Sequence, residues 1–241
     1  MANHVLLDNI SHKDLKVITA RGADWGDKIS CATIFPSEFA KIQANQPIVF
    51  RKQPQTGQFE ALALFGFENG ENLLLDEKGE LKLSYLPLSM LRQPFLIGQQ
   101  TQYNNGIPEQ SLVVHIDLDS PRVSTSQGEA IFLEHGGNSD YLNHIAQVLN
   151  TLHQEHQTIN GFFERLLAAN LLEAFSIEYA QKNGEKVTVT GFYTINQHAL
   201  NDLTPQQLKQ LQQQGDLQAI YMVLASMEQI PHLLNKKWAQ Q

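Results

Sequence analysis

The order of patterns along this chain predicts an α+β fold. A β-rich N-terminal portion over residues 1–135 packs with a mainly helical C-terminal portion over 136–241 that carries one hairpin, the whole forming a single domain, 1–241. Three observations predict it. Short apolar runs punctuated by Asn69-Gly70, Asp76-x-x-Gly79 and Pro54-x-x-Gly57 fill the first portion, and turns of this kind join strands because glycine accepts φ > 0. After Gly136-Gly137 the apolar residues recur at helical spacing. Strands and helices do not alternate, which argues against a doubly wound parallel sheet.

The elements follow in order. Ile48-Val49-Phe50 reads as a strand, and Ala61–Phe67 with Leu73–Leu75 reads as a hairpin about Glu68-Asn69-Gly70-Glu71-Asn72. Further strand-like runs are Leu81–Leu88, Phe95–Ile97, Leu112–Asp119 and Ala130–Leu133, a set compatible with a jelly-roll or cupin-like barrel. Pro36-Ser37-Glu38-Phe39 opens a short helix continuing through Ala40, Ile42 and Gln43. In the second portion Tyr141, Ile145, Val148, Leu149 and Leu152 form one helical stripe, with Ser139 as its N-cap. Phe162, Phe163, Leu166, Leu167 and Leu171 form a second. Phe175–Tyr179 and Val187–Thr190 alternate about Lys182-Asn183-Gly184-Glu185 as a hairpin. Thr204-Pro205-Gln206-Gln207 combines a capping hydroxyl, proline at the first helical position and Gln three residues on, which is a helix start. Gly215 ends that helix and Asp216 opens a last one.

Composition bounds the function. The net charge is −8 and Lys52, Lys82, Lys182 and Lys209 are scattered. Nucleic-acid binding needs clustered Lys and Arg to release counterions, so no nucleic-acid partner is expected, and anionic membrane surfaces are disfavoured alike. Cys31 is the only cysteine, which excludes an intrachain disulfide. It sits between apolar neighbours with no nearby cation to lower its pKa, as a buried strand thiol would. The first residues have no basic region followed by an apolar run, and no stretch reaches the roughly 20 apolar residues of a spanning helix. The expected location is therefore the cytoplasm, with the surface layer, reached without an N-terminal signal, as the alternative.

The segment Val113–Asp119 carries the most chemical information. A period of two places Val114, Ile116 and Leu118 on one strand face and His115, Asp117 and Asp119 on the other. His115-x-Asp117 supplies two of the three ligands of a mononuclear non-haem iron triad, leaving coordination positions open. A distal His would complete it, from His135, His144, His153, His156 or His198. The structural alternative is the wet face of an amphipathic strand whose acids cap the Ser120-Pro121 turn. Asp117-Leu118-Asp119 also mimics a cation-holding Asp-x-Asp of sugar-nucleotide transferases, but that chemistry needs an upstream nucleotide-binding α/β domain. The loop Glu134-His135-Gly136-Gly137-Asn138 is a candidate ligand-facing segment around His135, or a plain strand-to-helix connection. Arg92, in an otherwise apolar stretch, is placed to clamp a carboxylate of a ligand or of the protein itself. Phosphate-binding glycine loops, zinc spacings and Gly-x-Ser-x-Gly elbows are absent.

Several strings resemble the SapC family of bacterial proteins over almost the whole chain. They include Ile18–Ala23, Phe35-Pro36-Ser37-Glu38-Phe39, Ile48–Lys52, Ala63–Phe67 with Gly70–Leu73, Arg92–Gly98, His115–Val123 and Leu133–Gly137. The resemblance implies an accessory or binding protein, named for a surface-layer association and unrelated to the peptide-transport permease of the same name. Members of the family are often encoded near outer-membrane receptors and flavin-dependent halogenase-like proteins. The partners it implies are a protein or a small-molecule ligand. An iron-dependent, oxygenase-like enzyme using His115 and Asp117 is the alternative function.

Overall fold

The structure is a computed structural model describing residues 3–104, 107–182 and 184–240; at 102–104, 107 and 109 it describes the backbone alone. The first elements are β1 (His4–Leu6), β2 (Lys16–Val17), β3 (Cys31–Ile34), α1 (Phe39–Ile42), β4 (Ile48–Lys52), β5 (Phe59–Leu64) and α2 (Leu88–Leu91). Then come β6 (Phe95–Asn104), β7 (Ile107–Asp117), β8 (Val123–Ser124), β9 (Glu129–Ala130) and α3 (Asp140–Ala168). The chain ends with β10 (Leu172–Ala180), β11 (Lys186–Ile195), α4 (Gln197–Asn201), α5 (Pro205–Gln214), α6 (Asp216–Ser226) and α7 (Gln229–Gln240). This is a mixed α+β fold with its helices concentrated toward the C-terminus. The strands form three open antiparallel sheets, ordered β1-β7-β6, β10-β11-β4-β5-β3 and β8-β2-β9.

Two compact units emerge, each discontinuous in sequence: Met1–Asp27, Glu77–Leu81 and Leu88–Gln154, then Lys28–Asp76, Lys82–Pro87 and Glu155–Gln241. In the first unit, β7 lies between β1 and β6, with His115 opposite both Leu6 and Leu96. The alternation works as the sequence implies: Ile116 and Phe95 are fully buried, and Val5, Leu7, Val114 and Leu118 pack against the same cluster. Leu142, Ile145 and Leu149 of α3 complete that core. Burying each such side chain contributes about 1.5–3 kcal/mol.

In the second unit the C-terminal hairpin β10–β11 joins the N-terminal strands, because Phe192 and Tyr193 pair with Arg51 and Phe50. Aromatic contacts link this sheet to α3, with Phe50 meeting Phe163 edge-on at 5.2 Å and Phe39 meeting Phe162 at 6.2 Å. The last helix is tied down at Lys237, which is 4% exposed and donates to Glu68 and Glu71.

Some predicted elements change. Leu73–Leu75 does not pair as a hairpin strand. The Glu71 carboxylate instead accepts the N–H of Phe67, and Leu73 N–H bonds Phe65 O, folding residues 65–73 into a closed loop with Gly70 at φ 73°. In the run Leu81–Leu88 only Leu81 makes a bridge, and Leu88 opens α2. The two predicted helices after Gly137 are one helix of 29 residues, about 43 Å long, since nothing between His153 and Gly161 stops propagation. Ser139 caps it as expected, accepting Leu142 N–H at 3.1 Å. The Thr204 capping box and the left-handed Gly215 are both present. Asn183, at the tip predicted for the second hairpin, lies outside the described residues.

Candidate functional site

The β7 face predicted to carry chemistry is assembled from β1, β7 and β6. His115 sits on Gly98 of the neighbouring strand, where a Cβ would come within 2.2 Å of the imidazole Cε1 and 2.3 Å of Nδ1. Only glycine leaves room for the ring. Nδ1 is buried and has no hydrogen-bond partner among the described residues. Asp117 closes the strand: its Oδ1 accepts the N–H of Asn3 at 3.0 Å and of Asp119 at 3.2 Å. Of the other histidines, His135 is exposed on the loop after Phe132 and His198 is exposed on α4 beside Asp202. His156 packs edge-on against Phe35 at 4.8 Å. Among the described residues no group of three His, Cys, Asp or Glu is arranged to hold a metal ion, so a facial triad has two of its three members at most.

Arg92 meets no carboxylate among the described residues. Its Nη1 donates to Phe95 O at 2.6 Å, and burial draws its pKa below the ordinary value.

A charged cluster the sequence did not reveal occupies the first unit. Asp27, 1% exposed, accepts Arg122 Nη2 at 2.8 Å, Arg21 Nη1 at 3.2 Å and Gly22 N–H at 2.8 Å. Arg122 Nη1 donates to Ala20 O at 2.8 Å, and Arg21 Nη2 donates to Met90 O at 2.8 Å. Burial, and then the like charge of Arg122, draw the Arg21 guanidinium down, while Asp27 opposes both. Nearby, burial pushes the Tyr141 phenol up to about 12. These charges are met by one another and by backbone carbonyls, except that Arg122 Nε is buried without a hydrogen-bond partner among the described residues. The only hint in the sequence was an arginine between Pro121 and Val123.

Two cavities stand out. In the second unit a polar cleft of about 650 Å³ is lined by Ser37, Gln157, Thr158, Gln214 and Gln218, with Arg165 and Asp216 at its wall. The guanidinium and carboxylate are joined twice, through Nε and through Nη2 at 2.8 Å. In the first unit a cavity of about 440 Å³ is walled by Leu6, Leu7, Val113, Val114, Phe132 and Leu142, with Asp8, Asn9, Gln100 and Asn138 as its polar members. Its rim is built from two loops stapled together, since Asn9 Nδ2 donates to Gly136 O at 2.8 Å. Gly136 belongs to the His135 loop, and Phe132 and Asn138, the bridge that closes this loop, both line the cavity. Leu6 is 43% exposed, and Ile10 and Leu133 on the two loops are 82% and 58% exposed.

A family model described as SapC matches residues 7–233. The chain belongs to the SapC family. No curated protein and no solved structure matches the chain. The strings that carry the SapC resemblance have identifiable structural work: Arg21, Gly22 and Arg122 build the Asp27 cluster, and Glu38 accepts Phe35 N–H as a cap. Glu71 holds both a loop and Lys237. No helix among the described residues is long and apolar enough to cross a membrane.

Proposed function

We propose that this SapC-family chain is a non-catalytic accessory protein that binds a small apolar ligand in the 440 Å³ cavity of its first unit and works in the cytoplasm. One observation carries the reading. The cavity is walled by apolar side chains, and one of them, Leu6, is 43% exposed. Its volume falls within the roughly 300–1,000 Å³ of small-molecule sites, which are mostly apolar with few polar groups. The His135 loop forms part of the rim, which supports its role as a ligand-facing segment. Arg92 keeps guanidinium N–H groups that no carboxylate of the described residues takes, so it remains a candidate for an acidic group on a ligand or partner protein.

The test is saturable binding of a neutral apolar probe, 1-decanol, to the full chain. Ala146 lines the cavity from an exposed position on α3, so Ala146→Trp obstructs the space without disturbing the core. Binding is expected at one site per chain and lost in Ala146→Trp. Equal binding by both proteins would refute the reading.

The alternative, a mononuclear non-haem iron enzyme using His115 and Asp117, draws on one feature, the unpartnered buried Nδ1 of His115. A buried imidazole nitrogen without a partner is uncommon. Metal analysis of the untagged protein, with and without His115→Gln, distinguishes the readings: stoichiometric iron lost in the variant supports the enzyme.

A further inference from the structure

We infer that the cavity of the first unit selects its ligands by charge, taking amphiphiles with a cationic or neutral head and rejecting those with a carboxylate head. This rests on the binding reading above and extends it to a ligand class. Among the described residues that line it, Asp8 is the only charged one; the other polar members, Asn9, Gln100 and Asn138, are neutral amides. No lysine or arginine among the described residues lines the space to pair with an acid.

Asp8 is held by its own turn while its side chain stays 41% exposed. Oδ1 is engaged by the N–H groups of Ile10 at 2.9 Å and Ser11 at 2.7 Å. Those backbone bonds hold the carboxyl below its ordinary value, so it is charged at neutral pH. The Ser11 hydroxyl also bonds the carboxylate, and His12 Nδ1 lies 3.4 Å from Oδ2. That nitrogen also accepts the N–H of Asp8 at 3.2 Å. An ammonium at the rim gains a carboxylate, an alcohol carries no charge for it to attract or repel, and a carboxylate meets like charge with no compensating cation among the described residues. The tail in each case enters the same apolar walls.

Three ligands of equal chain length separate head from tail: decylamine, 1-decanol and decanoate, titrated calorimetrically into the full chain at low salt, where charge effects are least screened. We expect decylamine to bind at least on the order of tenfold more tightly than decanoate, with decanol between them. Asp8→Asn keeps the Oδ1 acceptor for Ile10 and Ser11 and removes the charge. It is expected to bring amine and decanoate to within about twofold while leaving decanol unchanged. Equal binding of amine and decanoate by the unaltered protein, or a preference that survives Asp8→Asn, would overturn the charge selection while decanol binding kept the cavity reading intact. Failure of all three to bind would overturn both.

Discussion

Charge and apolar surface are handled in opposite ways within the first unit. Around Asp27, three charged side chains are turned inward and engage one another and backbone groups, with Arg122 and Asp27 each 1% exposed. Around the cavity, apolar side chains line open volume, and their neighbours Ile10 and Leu133 project outward. Arginine and aspartate in one compact cluster suggest catalysis at first sight, yet here most of their hydrogen-bonding capacity is taken up by the fold, with the buried Arg122 Nε as the exception. The capacity left for another molecule is mostly apolar. Residues that look reactive in a sequence can thus be the ones that hold the backbone in place.

The largest effect should come from breaking the charged cluster. Asp27→Ala leaves two buried guanidinium groups without their carboxylate, and removing one partner of a buried pair costs about 3–5 kcal/mol. Urea unfolding should show a loss of this size, with decanol binding retained where the protein remains folded. A loss below about 1 kcal/mol would mean that the cluster is dispensable.

Next comes the seat of His115. Gly98→Ala drives a methyl group into the imidazole, and overpacking of this kind costs about 1–3 kcal/mol. Adding His115→Ala should recover much of that loss, because the two residues compete for one space. Additive losses in a double-mutant cycle would show that the ring and the glycine do not press on each other.

A smaller, pH-dependent effect belongs to the second unit. Hydrogen bonds from Lys237 and then Tyr179 lower the Glu68 pKa. A carboxylate with a depressed folded pKa contributes stability above its unfolded value, near 4.5, and loses it as pH falls through the folded value. Glu68 is half exposed, so roughly 0.2–1 kcal/mol is expected. The fall in thermal midpoint on acidification below about pH 4.5 should be shallower in Glu68→Gln. The smallest effect is that of Ala146→Trp on stability, within about 0.5 kcal/mol for an exposed position. A larger loss would undermine its use as a cavity block.

Much of this architecture was legible because its signals are local. Thr204-Pro205 with Gln207, Gly215 and Ser139 mark helix ends through bonds between near neighbours, and the period of two in Val113–Asp117 sets which side of β7 meets the core. The pairing of Phe192 and Tyr193 with β4 was not legible, since more than 100 positions separate partners that no periodic pattern links. The Leu73–Leu75 strand failed because the Glu71 side chain captured Phe67 N–H and gave the backbone another partner. Spacing singled out His115 and Asp117 as a strand-face pair, whereas it gave no sign of the cavity. Leu6, Val114, Phe132 and Leu142 meet only when four separate segments fold together, and each alone looks like ordinary core.

The most direct measurement is a map of backbone amide shifts during titration with 1-decanol. Binding in the cavity predicts saturating changes confined to Leu6–Asn9, Val113–Val114, Phe132–Asn138 and Leu142–Ala146. Changes centred instead on Arg165 and Asp216, or scattered without saturation, would contradict the account.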